Sequence, residues 1–202
     1  MNYILLNKNK HMANIQLDGD KIEIENISIP FLSMDINSWV VNRFKPSTRA
    51  NLTKALRLAE MTSIKEYISI NYGISMTDTF WIKPCKSKLT WEEISPYRNK
   101  LCNDISILAI SGIYNGGNLK SPSPDYTVDG SADKCWVREN GEIYLYKTFG
   151  ERFSGLAGLR PYCEYYASQV ANALISDKGH FIPYGIKVST TREGYLKGYC
   201  YC

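Results

Sequence analysis

Lys147 ends the segment "EIYLYK" seventeen residues before Glu164, and a polar loop with one glycine, "DGSADK" at 129–134, lies just upstream. Residues of these types at this spacing can hold clustered phosphate. Phosphate oxygens need backbone N–H donors brought close, so glycine and small residues suit the loop that covers them. Gly130, Ser131, Ala132, Asp133 and Lys134 form such a loop. A fixed cation is needed as well, and Lys147 stands where a strand can aim one. A carboxylate can then hold that ammonium in place. Seventeen residues are enough to leave the strand, cross a loop and enter a helix carrying Glu164. The spacing alone favours an ordinary surface hairpin with a surface ion pair, because lysine in a strand is common and "DGSADK" lacks the full G-x-G-x-x-G pattern.

These residues need particular elements to position them. Asn140-Gly141 between two alternating runs predicts a hairpin over about 133–147. Pro161 suits the first position of a helix reaching about Ile175, with Glu164 in its first turn. "FIPYGIKVS" and "YLKGYCYC" read as two closing strands joined by a polar turn at 190–194, so the second half is β-β-α-β-β. In the first half, "NYILL" and "HMANIQLDGDKIEIENISIP" alternate as strands around Asp18-Gly19-Asp20, with an irregularity near Asn26; Ile22, Ile24, Ile27 and Ile29 face a core. "STRANLTKALRLAEM" has helical spacing with Ser47 or Thr48 as N-cap. "SIKEYISINYG" is a second helix between Ser63 and Gly73, and "TWEEISPYRN" is a short helical turn. The type of the apolar run "KLCNDISILAISGIYN" stays open. "NGGNLKSPSPDYTVDG" reads as a connection, dividing an α+β chain into a β/α subdomain (1–118) and a sheet-and-helix subdomain (119–202).

Four stretches, "ISMTDTFWIKP", "SPSPDYTVDGSADKCWV", "IYLYK" and "CEYYASQVANAL", together resemble the amino-terminal region of HipA-like serine/threonine kinases, over roughly residues 35–202. The nearest likeness is to the clostridial and phage-associated, toxin-like branch. The resemblance implies a kinase small-lobe-like antiparallel sheet with one helix, preceded by the β/α subdomain. Gly130 to Lys134 would cover the phosphates, Lys147 would touch the α- and β-phosphates, and Glu164 would pair with Lys147. The family's large lobe carries the catalytic aspartate and the magnesium ligands, and it is expected only after Cys202. The resemblance therefore implies weak ATP contact without magnesium ligands, no catalytic residue, and work as a protein-interaction or regulatory module. The partner would be a kinase large lobe, an intact kinase or a host enzyme, docking on an open strand edge at 195–202. A fragment of a full kinase and a phage or mobile-element inhibitor are the competing expectations.

Bulk properties narrow the field. The chain is 44% hydrophobic and 22% charged with a net charge of +4, too mild to imply nucleic acid. Arg43, Lys45, Arg49, Lys54 and Arg57 read as a solvated helix face, with nucleic acid the alternative. No apolar run approaches the ~18 residues of a membrane span. The six cysteines lack the spacing of a disulfide scaffold, which predicts reduced thiols in a cytoplasmic protein, and alternation puts Cys200 and Cys202 on one strand face. His11 and His180 are isolated, and no metal is expected. Ser154 is a loop serine open to phosphorylation. Thr77, Asp78 and Trp81 are expected to pack between the subdomains.

Overall fold

The computed structural model describes residues 2–18, 21–25, 36–44, 49–148, 159–175, 181–190 and 196–202. It has an α+β fold with two four-stranded antiparallel sheets. The first sheet contains β1 (Asn2–Asn7), β2 (Lys10–Asp18), β3 (Lys21–Glu25) and β4 (Phe80–Pro84) in the order β3-β2-β1-β4. Side chains alternate across a strand, so β1 serves two cores. Tyr3 and Leu5 join Ala13, Ile15, Ile82 and the buried faces of α1 (Ile36–Phe44), α2 (Ala50–Leu58) and α3 (Ile64–Asn71). Leu6 faces the other way, into a cluster with Ile74, Trp81, Trp91 and Ile94.

Local signals account for the helix ends. Ser63 and Glu66 form a reciprocal capping box at the start of α3. Tyr72 and Gly73 then end the helix in the left-handed region, at φ 53° and 65°. The short α4 (Trp91–Ile94) follows Thr90. At the start of α2 the N-cap is Arg49, which offers no side-chain cap, whereas Ser47 and Thr48 lie outside the described residues.

The undecided apolar run is helix α5 (Asn103–Ser111). It packs against α2 on one side and on the second sheet on the other. A helix buried on two sides needs no polar stripe, so its sequence shows little amphipathic period. The segment read as a connection holds a 3-10 helix at Pro124–Thr127, and Leu119, Ser123, Asp125 and Tyr126 within it are buried.

The second sheet contains β5 (Asp133–Glu139), β6 (Glu142–Thr148), β7 (Gly185–Thr190) and β8 (Leu196–Tyr201) in the order β5-β6-β8-β7. Asn140 and Gly141 turn the first hairpin at φ 52° and 88°, the two positive angles that a type I′ turn requires. Helix α6 (Arg160–Leu174) lies between β6 and β7 in sequence and packs on β8. Two expectations change here. β8 is not an open edge: it inserts between β6 and β7, with Tyr146↔Tyr201 and Lys147↔Cys200 on one side and Val188↔Gly198 on the other. Glu164 lies beyond the first helical turn, because α6 begins at Arg160 and its first turn holds no acid. The expected turns at 19–20 and 191–194, the Asn26 irregularity, Ile27, Ile29, Lys45, Ser154 and His180 lie outside the described residues.

Candidate functional site

Strand register decides which predicted side chains meet. Lys134 on β5 is the direct cross-strand partner of Lys147 on β6, and Lys147 is in turn opposite Cys200 on β8. Directly paired residues project to the same face, which puts Lys134, Lys147 and Cys200 on one side. Asp133 pairs with Thr148 and alternates to the other side.

Across that face, α6 supplies Glu164. Lys147 Nζ donates to Glu164 Oε2 at 2.9 Å and also to the Tyr184 hydroxyl, and it lies 4.7 Å from the centre of the Tyr184 ring. The pair is half-buried, with side-chain exposures of 18% and 34%. Burial disfavours the Lys147 charge, but the hydrogen bonds that the ammonium donates to Tyr184 and Glu164 outweigh it and hold it above the ordinary lysine value. Cys200 Sγ is 3.7 Å from the same carboxylate oxygen. Burial, reinforced by Glu164, pushes that thiol up to about 12, so it stays protonated at neutral pH.

Lys134 folds back over its own loop. Its Nζ donates to the Asp129 carbonyl at 2.6 Å. Burial first, then the Arg49 and Lys147 charges, push its ammonium below the ordinary value. A Cβ on Gly130 would come within 2.7 Å of that Nζ, and Gly130 has φ +93°, a region that side chains rarely enter. Its amide donates to Asp129 Oδ1 at 2.6 Å. Of the other predicted loop residues, Ser131 is exposed and Ala132 is buried.

Sequence reasoning missed three participants. Tyr184 precedes β7 with no periodic signal to single it out. Asp125 is buried in the 3-10 helix, where its carboxylate accepts from Trp136 N (2.7 Å), Ser106 Oγ (2.7 Å) and Ser123 Oγ (3.1 Å); burial raises its pKa. Arg49 is buried, not part of a solvated face. The remainder of that basic row is also largely engaged: Arg43 pairs with Asp78 and covers Trp39, and Lys54 donates to the Gly112 carbonyl at 2.7 Å. Arg57 is exposed. Trp81 packs inside the first half and not between the halves, and its indole N–H donates to the Lys8 carbonyl at 2.6 Å.

A groove of about 450 Å³ lies on the opposite face of the second sheet. It runs between α5 and the strands, past Ile107, Ile110, Val137, Tyr199 and the Glu139–Lys187 ion pair, and it contains none of the predicted residues. Among the described residues no group of three or more His, Cys, Asp or Glu is placed to hold a metal ion. All six cysteines are free, and His11 is exposed beside Asn14. No helix among the described residues is long and apolar enough to cross a membrane.

No protein-family model, no curated protein and no solved structure matches this chain.

Proposed function

We propose that this chain is a HipA-like kinase amino-terminal region that works as a protein-interaction or regulatory module and makes weak contact with ATP. In this reading residues 119–202 form the small-lobe-like unit and residues 1–118 the subdomain before it. The observation that carries the reading is the 2.9 Å ion pair between Lys147 on a strand and Glu164 on the following helix, with Lys134 directly across the ladder. Two lysines paired across neighbouring strands, one of them held by a carboxylate, suit a polyphosphate, whose oxygens can share both cations. Lys147 would contact the α- and β-phosphates, Glu164 would hold Lys147, and Gly130 to Lys134 would cover the phosphates. No step of phosphoryl transfer is assigned to these residues.

The interaction half of the reading draws on the outer face of α6. Tyr166, Val170 and Leu174 recur at i, i+4 and i+8 with exposures of 63%, 58% and 79%. An exposed apolar row of this kind supports the reading of a surface that a partner covers. Titration with fluorescent N-methylanthraniloyl-ADP tests the nucleotide half. Saturable binding that Lys147→Ala abolishes is expected, and no binding to the folded wild type at millimolar nucleotide overturns it. Mass measurement at micromolar concentration tests the other half: a strictly monomeric chain that captures no kinase large lobe overturns the interaction role.

A further inference from the structure

The buried guanidinium of Arg49 is not used by the site as described, yet its contacts converge on the loop beside that site. Arg49 immediately precedes α2, in the first half of the chain. Its Nη1 donates to the Lys134 carbonyl at 2.9 Å, and its Nη2 donates to the carbonyls of Asp125 at 3.0 Å and Val128 at 3.1 Å. These acceptors span the segment that leaves the 3-10 helix and enters β5. Backbone carbonyls taken out of water need donors: Asp125 and Val128 precede the strand pairing with β6, which begins at Asp133, and Lys134 lies on β5, an edge strand of the sheet. A planar guanidinium with five fixed N–H groups can serve several carbonyls at set angles, which a single ammonium cannot reproduce.

The same segment is anchored a second time. The Asp125 carboxylate accepts from the Trp136 amide and from the hydroxyls of Ser106 and Ser123, which ties the 3-10 helix to α5 and to β5. Between the anchors lie Gly130 at φ +93° and the Asp129 carbonyl that receives Lys134 Nζ. The position of the Lys134 ammonium therefore depends on a loop whose ends are held from α2 and α5.

We propose that Arg49 is the positioning residue of the phosphate-covering loop: by binding the carbonyls of Asp125, Val128 and Lys134 it sets the loop around Gly130 and couples α2 to the Lys134–Lys147 face. The phosphate contact of this loop rests on the reading under Proposed function; the control of the loop by Arg49 does not.

The test is amide hydrogen exchange of residues 126–133, together with N-methylanthraniloyl-ADP affinity, in the full chain. Arg49→Lys keeps the charge and loses the fork, Arg49→Met removes both, and Leu17→Ala is a core truncation on β2 that serves as a control for general destabilisation. Exchange in the loop about tenfold faster or more in both Arg49 variants is expected, with α3 unchanged and nucleotide bound about tenfold more weakly. Loop exchange no faster than in Leu17→Ala overturns the proposal. A loosened loop in a chain whose wild type binds no nucleotide leaves the control by Arg49 standing and removes the phosphate reading. Should both variants fail to fold, the wild type decides: loop amides exchanging far faster than those of β5 overturn the proposal, and protection equal to β5 supports it.

Discussion

Replacing Lys147 and Glu164 singly and together probes the central geometry most directly. Lys147→Met removes the ammonium but keeps the length of the side chain; Glu164→Gln keeps an acceptor but removes the charge. The pair is 2.9 Å apart with exposures of 18% and 34%, which places it between two regimes. Exposed pairs contribute up to ~1 kcal/mol, and losing one partner of a fully buried pair costs ~3–5 kcal/mol. A coupling energy of ~1–2 kcal/mol is expected from the double-mutant cycle. The single Lys147 variant should cost more than the coupling itself, because the Tyr184 hydroxyl also loses its partner. Urea denaturation at neutral pH measures all four proteins, and a second series at high salt should shrink the coupling, since the pair is partly solvated. Nucleotide affinity measured on the same proteins should fall about tenfold or more for Lys147→Met, as expected for the loss of a charged hydrogen bond. A coupling energy below ~0.3 kcal/mol, within the additivity error of independent sites, would show that the two groups do not meet in solution and would remove the basis of the nucleotide reading.

Three further perturbations have expected outcomes. Gly130→Ala meets φ +93° and a Lys134 Nζ at 2.7 Å; because the ammonium is the movable end of its side chain, backbone strain dominates, and denaturation should show a loss of about 1–2 kcal/mol. Trp81→Phe removes a buried indole and its hydrogen bond to the carbonyl of the exposed Lys8 and should cost about 1 kcal/mol by the same measurement. Hydrogen bonds from the Thr62 hydroxyl and amide, and then from the Ser63 amide, hold Glu66 down at about 2. A depressed carboxylate adds stability above its unfolded value and loses it as pH falls toward 2, so Glu66→Gln should flatten that part of the acid denaturation curve.

Much of the local structure could be read from neighbouring residues. Alternation in β1 to β3, the Asn140-Gly141 turn and the Ser63–Glu66 box are all written within a few positions of the element they specify. The Lys147–Glu164 contact was also legible, because a strand, a loop and a helix entry fit into the intervening residues. Other features were not. Arg49 looked like one more surface cation, since nothing near it in sequence reveals that its acceptors are 76, 79 and 85 residues away. The proline- and serine-rich run before Asp125 has the composition of a linker, yet Ser123 and Asp125 are buried because Asn71, Ser106, Trp136 and Arg49 meet their polar groups there.

Sequence by itself determined the type and approximate extent of most elements and the chemical identity of the lysine–carboxylate pair. Only the tertiary structure decided that β8 lies inside its sheet, that α5 is shared between two packing surfaces, and that Lys134 stands directly opposite Lys147. The physical reason is range. Backbone preferences and turn chemistry act within a few residues, whereas strand order and the satisfaction of buried polar groups depend on which distant segments come together when apolar surface leaves water.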